Sequence, residues 1–177
     1  MSSAPSYLVV TAVGPDRPGL VNAISSLAHD AGASLMDSRM AILGGEFAVL
    51  LLIAAPDAAL AELEQRLPKL ESELGLKLIA KRTSLEEKRH YLPYSLRATG
   101  VDRPGIVRAV TERLVRRGIN VASLESRVTF APLSGTPLFD LDAELEVPSE
   151  VALAELRREM SSLADEENLD VTLEAKR

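Results

Sequence analysis

The eight residues GPDRPGLV at positions 14–21 return at positions 100–107 as GVDRPGIV, changed only where Pro15 becomes Val101 and Leu20 becomes Ile106. A turn this specific, used twice, points to a chain built from two copies of one unit. The 177 residues then divide into halves near the lower size at which a hydrophobic core is self-sufficient. The register continues past the turn, where LVNAISSLAHDAGASL aligns with IVRAVTERLVRRGINV and brings Gly32 onto Gly118 and Leu35 onto Val121.

Both aligned runs read as helices. Leu20, Val21, Ile24, Leu27 and Ala28 share one face at helical spacing, as do Ile106, Val107, Val110, Leu114 and Val115. Each run stops at a glycine suited to a left-handed cap, and Pro18 and Pro104 fall where a first-turn proline is tolerated. Further along, DSRM pairs with ESRV and FAVLLLIAAP with FDLDAELEVP. The second copy has the longer connection between these strands, around APLSGTP, where the first uses a short LGGE turn. ALAELEQRL then matches ALAELRREM, a second amphipathic helix, and LKLIAKR matches VTLEAKR, a closing strand.

Each unit therefore reads strand, helix, strand, strand, helix, strand. The expected fold is α+β: two tandem ferredoxin-like βαββαβ domains, each a four-stranded antiparallel sheet with both helices on one face. The expected boundaries are residues 1–82 and 94–177, with the polar, proline-containing stretch 83–93 as linker.

The chemistry of the repeated turn is legible in its residue types. Asp16 or Asp102 can accept hydrogen bonds from backbone donors of its own turn, proline fixes the first helical residue, and Gly19 or Gly105 lets another group approach the backbone. The helix that follows points unpaired amides and its positive dipole end outward, which suits a carboxylate such as that of an amino acid. The bland alternative is that Asp-Arg-Pro-Gly simply makes a good strand-to-helix turn. Near-identity of the two copies, while the other loops diverge, favours binding.

The DRPG turn, the G-I-N-V at 118–121 and the six-element order resemble the ACT domain, a small-molecule-binding regulatory module. Two such domains covering nearly all of a short chain, with DSRMAILGGEFAVLLLIA in the first, resemble the glycine cleavage system transcriptional repressor family. The resemblance implies an amino acid, glycine or serine-like, held by Asp16, Arg17, Pro18, Gly19, Leu20 and Asn22 in the first copy, and by Asp102, Arg103, Pro104, Gly105 and Ile106 in the second. It also implies that the turn of one domain works with the Asn opening strand two of the other. Asn120 fills that place in the second copy and Ser34 in the first, so the better site combines Asp16–Leu20 with Asn120, and the weaker combines Asp102–Ile106 with Ser34. Asn22 against Arg108 is a further asymmetry between the turns. The implied output is repression of glycine cleavage genes through a protein partner such as a DNA-binding transcriptional regulator. An adaptor without ligand and an allosteric regulatory subunit of an amino-acid metabolic enzyme are the competing readings.

Composition narrows the alternatives. A net charge of −6 with no clustered basic face argues against direct nucleic-acid binding, and aromatics at 3% leave no stacking platform for single strands. Cysteine is absent, which removes thiolate nucleophiles and cysteine metal sites, and suits a reducing cytosol. No signal peptide or membrane span is read, so a cytoplasmic protein is expected. His29 and His90 have no carboxylate at triad or ligand spacing. Asp140, Asp142, Glu144 and Glu146 alternate along one strand, splayed on a solvated face rather than converging on an ion. No catalytic residue, metal site or cofactor is expected.

The outward residues of that strand contrast with their counterparts in the first copy, Ala48, Leu50, Leu52 and Ala54. Half-buried strands normally alternate, so an all-apolar FAVLLLIAA says that something covers the first sheet's open face. Tyr91 and Leu92 of the linker offer little cover. A homodimer through Val9, Ala48, Leu50, Leu52, Ala54 and Ile79 is the expected solution.

Overall fold

The computed structural model describes residues 5–85 and 90–176. The chain divides into two compact units, Met1–Glu87 and Lys88–Arg177. The first comprises β1 (Ser6–Pro15), α1 (Leu20–Asp30), β2 (Ser34–Leu43), β3 (Glu46–Ala55), α2 (Asp57–Leu74) and β4 (Lys77–Thr83). The second repeats the order as β5 (Tyr91–Val101), α3 (Ile106–Arg116), β6 (Asn120–Phe130), β7 (Pro137–Pro148), α4 (Leu153–Glu167) and β8 (Leu169–Ala175). All sheet pairs are antiparallel, in the orders β2-β3-β1-β4 and β6-β7-β5-β8. These are the two α+β, βαββαβ units that the repeat demands.

Alternation builds each core. In β1, Leu8, Val10 and Ala12 are buried; beside them β3 buries Phe47, Val49, Leu51 and Ile53. Leu20, Ile24 and Leu27 of α1 and Leu60, Leu63 and Leu67 of α2 close over that face. The second unit does the same with Leu96 and Ala98, Leu141, Ala143 and Leu145, then Ile106, Val110 and Leu114, and Leu156, Met160 and Leu163. With few rings available, the cores are filled by branched aliphatic side chains whose burial supplies the main driving force.

Helix α1 ends as its spacing predicts: Gly32 follows the last turn at φ 65° and its amide donates to His29 O, while Ala33 N–H reaches Ala28 O at 3.0 Å. Helix α2 runs farther than the ALAELEQRL match, through Pro68 to Leu74, because Leu70 and Leu74 also pack on the core. Two departures from expectation concern Tyr91–Pro93 and Pro18. Tyr91 and Leu92 belong to β5, paired with Pro148 and Val147, so they are strand rather than linker. Of the segment expected as linker, residues 86–89 lie outside the described residues. Pro18 and Pro104 precede the helix, whose N-caps are Gly19 and Gly105, so neither proline is the first helical residue.

Ion pairs fasten helices at the surface. Arg82 of β4 holds Asp57 and Glu64 of α2, each at 2.8 Å, and its guanidinium keeps the Glu64 carboxyl below the ordinary glutamate range. Glu71 accepts the Leu78 amide at 2.8 Å and Lys77 Nζ at 2.9 Å, and these two donors lower its pKa in turn. In the second unit Arg117 spans Glu155 and Glu159 of α4, and Arg113 holds Glu166. Each exposed pair is worth little alone; together they fix how the second helix lies against its neighbours.

The two open sheet faces differ. On the first, Leu50 is 48% and Ile79 65% exposed, Val9, Ala48 and Leu52 are half-buried, and Ala54 is buried. On the second, Arg97 holds Asp142 at 2.7 Å, Lys176 holds Glu144, and Asn120 Nδ2 donates to Glu146 at 2.7 Å.

Candidate functional site

The repeated turn has an unusual helix start. Gly19 sits at φ 97° and Gly105 at φ 102°, a left-handed N-cap that only glycine takes without strain. A Cβ added at Gly19 would meet nothing within 4 Å, so it is the backbone angle, not crowding, that requires glycine there. Gly19 O accepts the first helical bond from Ala23 N–H at 2.9 Å, and no side chain caps the end. Asp16 and Asp102, expected to accept from backbone donors of their own turn, do not bond the first-turn amides: the cap position is a glycine and no side chain caps either helix. What holds each aspartate is its own backbone amide, donated to Gly45 O at 3.0 Å for Asp16 and to Pro137 O at 2.9 Å for Asp102.

In the first unit this leaves an open cleft of about 590 Å³ along one wall of the turn. Asp16, Arg17, Pro18, Gly19, Leu20 and Asn22 all line it, joined by Val21, Ser25, Met40 and Phe47. Six of the residues singled out in the sequence thus come together. Leu20 contributes through its backbone, its side chain being 2% exposed within the core; Ile106 is equally enclosed in the core of the second unit. The floor supplied by Phe47 and Met40 went unrecognised in the sequence; Phe47 reads only as a core strand position, and Met40 lies on an edge strand exposed along its whole length.

Arg17 has a second engagement. Its Nη2 donates to the carbonyls of Glu73 and Leu74, at 3.2 and 3.0 Å, at the C-terminal end of α2, where helix-end carbonyls attract a cation. Arg103 matches it from the other unit, pairing with Glu167 at the end of α4 at 3.2 Å. Gly14 completes this anchorage: a Cβ there would lie 3.0 Å from Gly75 O and 3.2 Å from Leu76 Cα, and one at Gly100 would lie 3.0 Å from Asn168 O. Each turn is thus seated on the end of its unit's second helix.

Ser34 and Asn120 stand apart from the turn of their own unit. Each opens the strand after the first helix, and an 11-residue helix separates the two ends by about 16 Å. Both are exposed, and Asn120 is engaged with Glu146. Pro104, Gly105 and Arg108 are exposed at the second turn, where Arg108 replaces the amide of Asn22 with a cation. Among the described residues no three His, Cys, Asp or Glu side chains gather as a metal site, and no helix is long and apolar enough to cross a membrane.

A four-stranded sheet backed by two helices, entered through a glycine-capped DRPG turn, defines an ACT domain, and ACT-domain models match residues 6–81 and 94–159. The chain is a tandem pair of ACT domains. It belongs to the glycine cleavage system transcriptional repressor family: it is 30% identical over 168 residues to the glycine cleavage system transcriptional repressor of Escherichia coli (strain K12), covering 94% of this chain and 88% of that one. Among solved structures, a protein of unknown function from Galdieria sulphuraria superimposes with a TM-score of 0.81 at 30% identity, covering 98% of this chain and 99% of that one. A protein assigned as a glycine cleavage system transcriptional repressor superimposes at 0.75 with 29% identity, covering 99% of each chain.

Proposed function

We propose that this chain is a non-enzymatic, cytoplasmic regulator that senses a small amino acid at the first domain's turn and acts on gene expression through a protein partner. The observation that carries the reading is the cleft at the N-terminus of α1. There the amides of Leu20, Val21 and Asn22 have no side-chain cap, and the positive end of the helix dipole faces an open space. A ligand carboxylate would take those amides, and Asp16 in the same cleft would take an ammonium group. Glycine is the first candidate because the relatives are named for the glycine cleavage system, and serine is the next small amino acid to try.

Asn22→Asp tests the site. A carboxylate at the third helical position suits the dipole, so stability is expected to hold or rise, yet it repels the ligand's carboxylate. In titration calorimetry with glycine and serine, the wild type should bind, and the variant should bind at least about tenfold more weakly, the scale of one lost charge-assisted contact. No binding by the wild type would favour an adaptor acting without a ligand.

The indirect route to DNA is supported by the arginines around α3. Arg113 and Arg116 of α3 and Arg117 just beyond it each hold a carboxylate of the same unit, which leaves Arg108 as the one arginine of that helix outside these pairs. A duplex-reading helix needs such cations free for phosphates. Purified protein alone is expected to leave promoter DNA unshifted in a gel assay at physiological salt, and a sequence-specific shift would refute the route.

A further inference from the structure

We infer that the open face of the β2-β3-β1-β4 sheet docks on the same face of a second copy of this chain, about a two-fold axis running parallel to the strands. The inference is independent of the ligand reading. Its centre carries Val9, Thr11, Ala48, Leu50 and Leu52 with no charge among them, and Leu50 is 48% exposed there. Charges sit along the edges and at one end of the face: Lys77 and Lys81 on β4, Asp37 and Arg39 on β2, and Glu46 at the start of β3.

Register shows why the occupant is a second copy and fixes the axis. Val9 pairs with Lys81 on one side and Leu52 on the other, and Leu52 pairs with Asp37, so one row across the sheet reads Lys81, Val9, Leu52, Asp37. A two-fold along the strands lays β4 of one copy over β2 of the other and keeps each row in place, so Lys81 meets Asp37 twice. The next row reads Ile79, Thr11, Leu50, Arg39, which sets Ile79 over the aliphatic stem of Arg39. A two-fold across the strands would instead lay β4 on β4 and bring Lys77 against Lys81. Aligned packing of two sheets about 10 Å apart leaves room for these side chains.

The area is modest. Four strands about 4.8 Å apart and about four outward rows give a face on the order of 500 Å² per copy, the low end for a specific contact, so a reversible dimer with a micromolar constant is expected.

Sedimentation of the full chain up to about 200 μM tests this. The wild type should dimerise and Leu50→Asp should be monomeric with an unchanged circular dichroism spectrum, because a carboxylate at the centre of a dry contact goes unpaired. Lys81→Glu should raise the dissociation constant about tenfold, and Asp37→Lys with Lys81→Glu should bring it back toward the wild type. If Leu50→Asp fails to fold, Ile79→Glu, at a position 65% exposed, gives the same reading. A wild type monomeric throughout, or folded centre variants that stay dimeric, would overturn the inference, and a double variant no tighter than Lys81→Glu alone would overturn its axis.

Discussion

Leu141→Ala is expected to cost the second domain about 2–5 kcal/mol, the range for removing a fully enclosed leucine. Leu141 has no exposed surface and lies on β7, between β5 and β6, paired with Ala98 on one side and Ser126 on the other. Above it, both helices contribute leucines with no exposure, Leu114 and Leu156 among them, so the cavity left by truncation has little loose structure to collapse into it. The neighbouring alanines Ala98 and Ala143 are already small and supply no bulk to move in. A domain of this size has a stability comparable to the loss. Urea unfolding followed by circular dichroism reads the effect, with a lowered midpoint and an unchanged slope expected. A loss under about 1 kcal/mol would mean that the domain repacks around the site far more freely than its close-packed core implies.

The second large effect is expected at Gly14. Its backbone angle poses no difficulty; the obstacle is space, since an added Cβ would come 2.9 Å from Leu76 Cδ2, 3.0 Å from Gly75 O and 3.2 Å from Leu76 Cα. The leucine methyl can swing aside, but the carbonyl and the Cα belong to the backbone joining α2 to β4. Gly14→Val should therefore push the turn off the helix end and cost about 3 kcal/mol, the upper part of the range for overpacking. The displacement would also stretch the Arg17 bonds to Glu73 and Leu74, loosening the wall of the cleft. Amide exchange distinguishes this from a uniform loss: protection should fall first at Leu76, Leu78 and the strand pairs Ala12–Leu78 and Val13–Lys77. Uniform acceleration across the domain would show that the clash is relieved by global rather than local opening.

These two glycine and arginine positions bear on why the octapeptide occurs twice. Duplication alone reads as conserved chemistry at a binding turn, but Gly14 with Arg17, and Gly100 with Arg103, do structural work in both units by seating the turn on the neighbouring helix. Part of the repeat is thus required by the fold whether or not either copy holds a ligand. The proposal of a ligand rests instead on the uncapped amides and the cleft at the first turn.

Strand and helix order was legible because apolar alternation and helical spacing are local properties that survive in both copies. Leu8, Val10 and Ala12, and Leu96 and Ala98, alternate in and out of their cores at the expected period. The start of β5 was hidden by Pro93, whose missing amide suggests a linker; it sits opposite Glu146 within the strand all the same. Asp16 reads as an acceptor for its turn because aspartate commonly takes that part, and only the structure shows that the helix is capped three positions later by a left-handed Gly19 with no side-chain bond. The reach of Arg17 to a helix end more than fifty residues away is a tertiary fact with no local signature, although an arginine repeated at position 103 was a signal available for reading.

Under the proposed pairing, the unlike sheet faces would set the valence of the chain. Had the second sheet kept the apolar surface of the first, every molecule would offer two adhesive faces, and association could run on from copy to copy without end. The second face is instead occupied by the pairs Arg97–Asp142, Lys176–Glu144 and Asn120–Glu146, which would be stripped of water on burial. With one adhesive face per chain, the proposed association would stop at two. On that proposal the acidic strand has a use: it would let a duplicated domain stay duplicated without turning its owner into a filament.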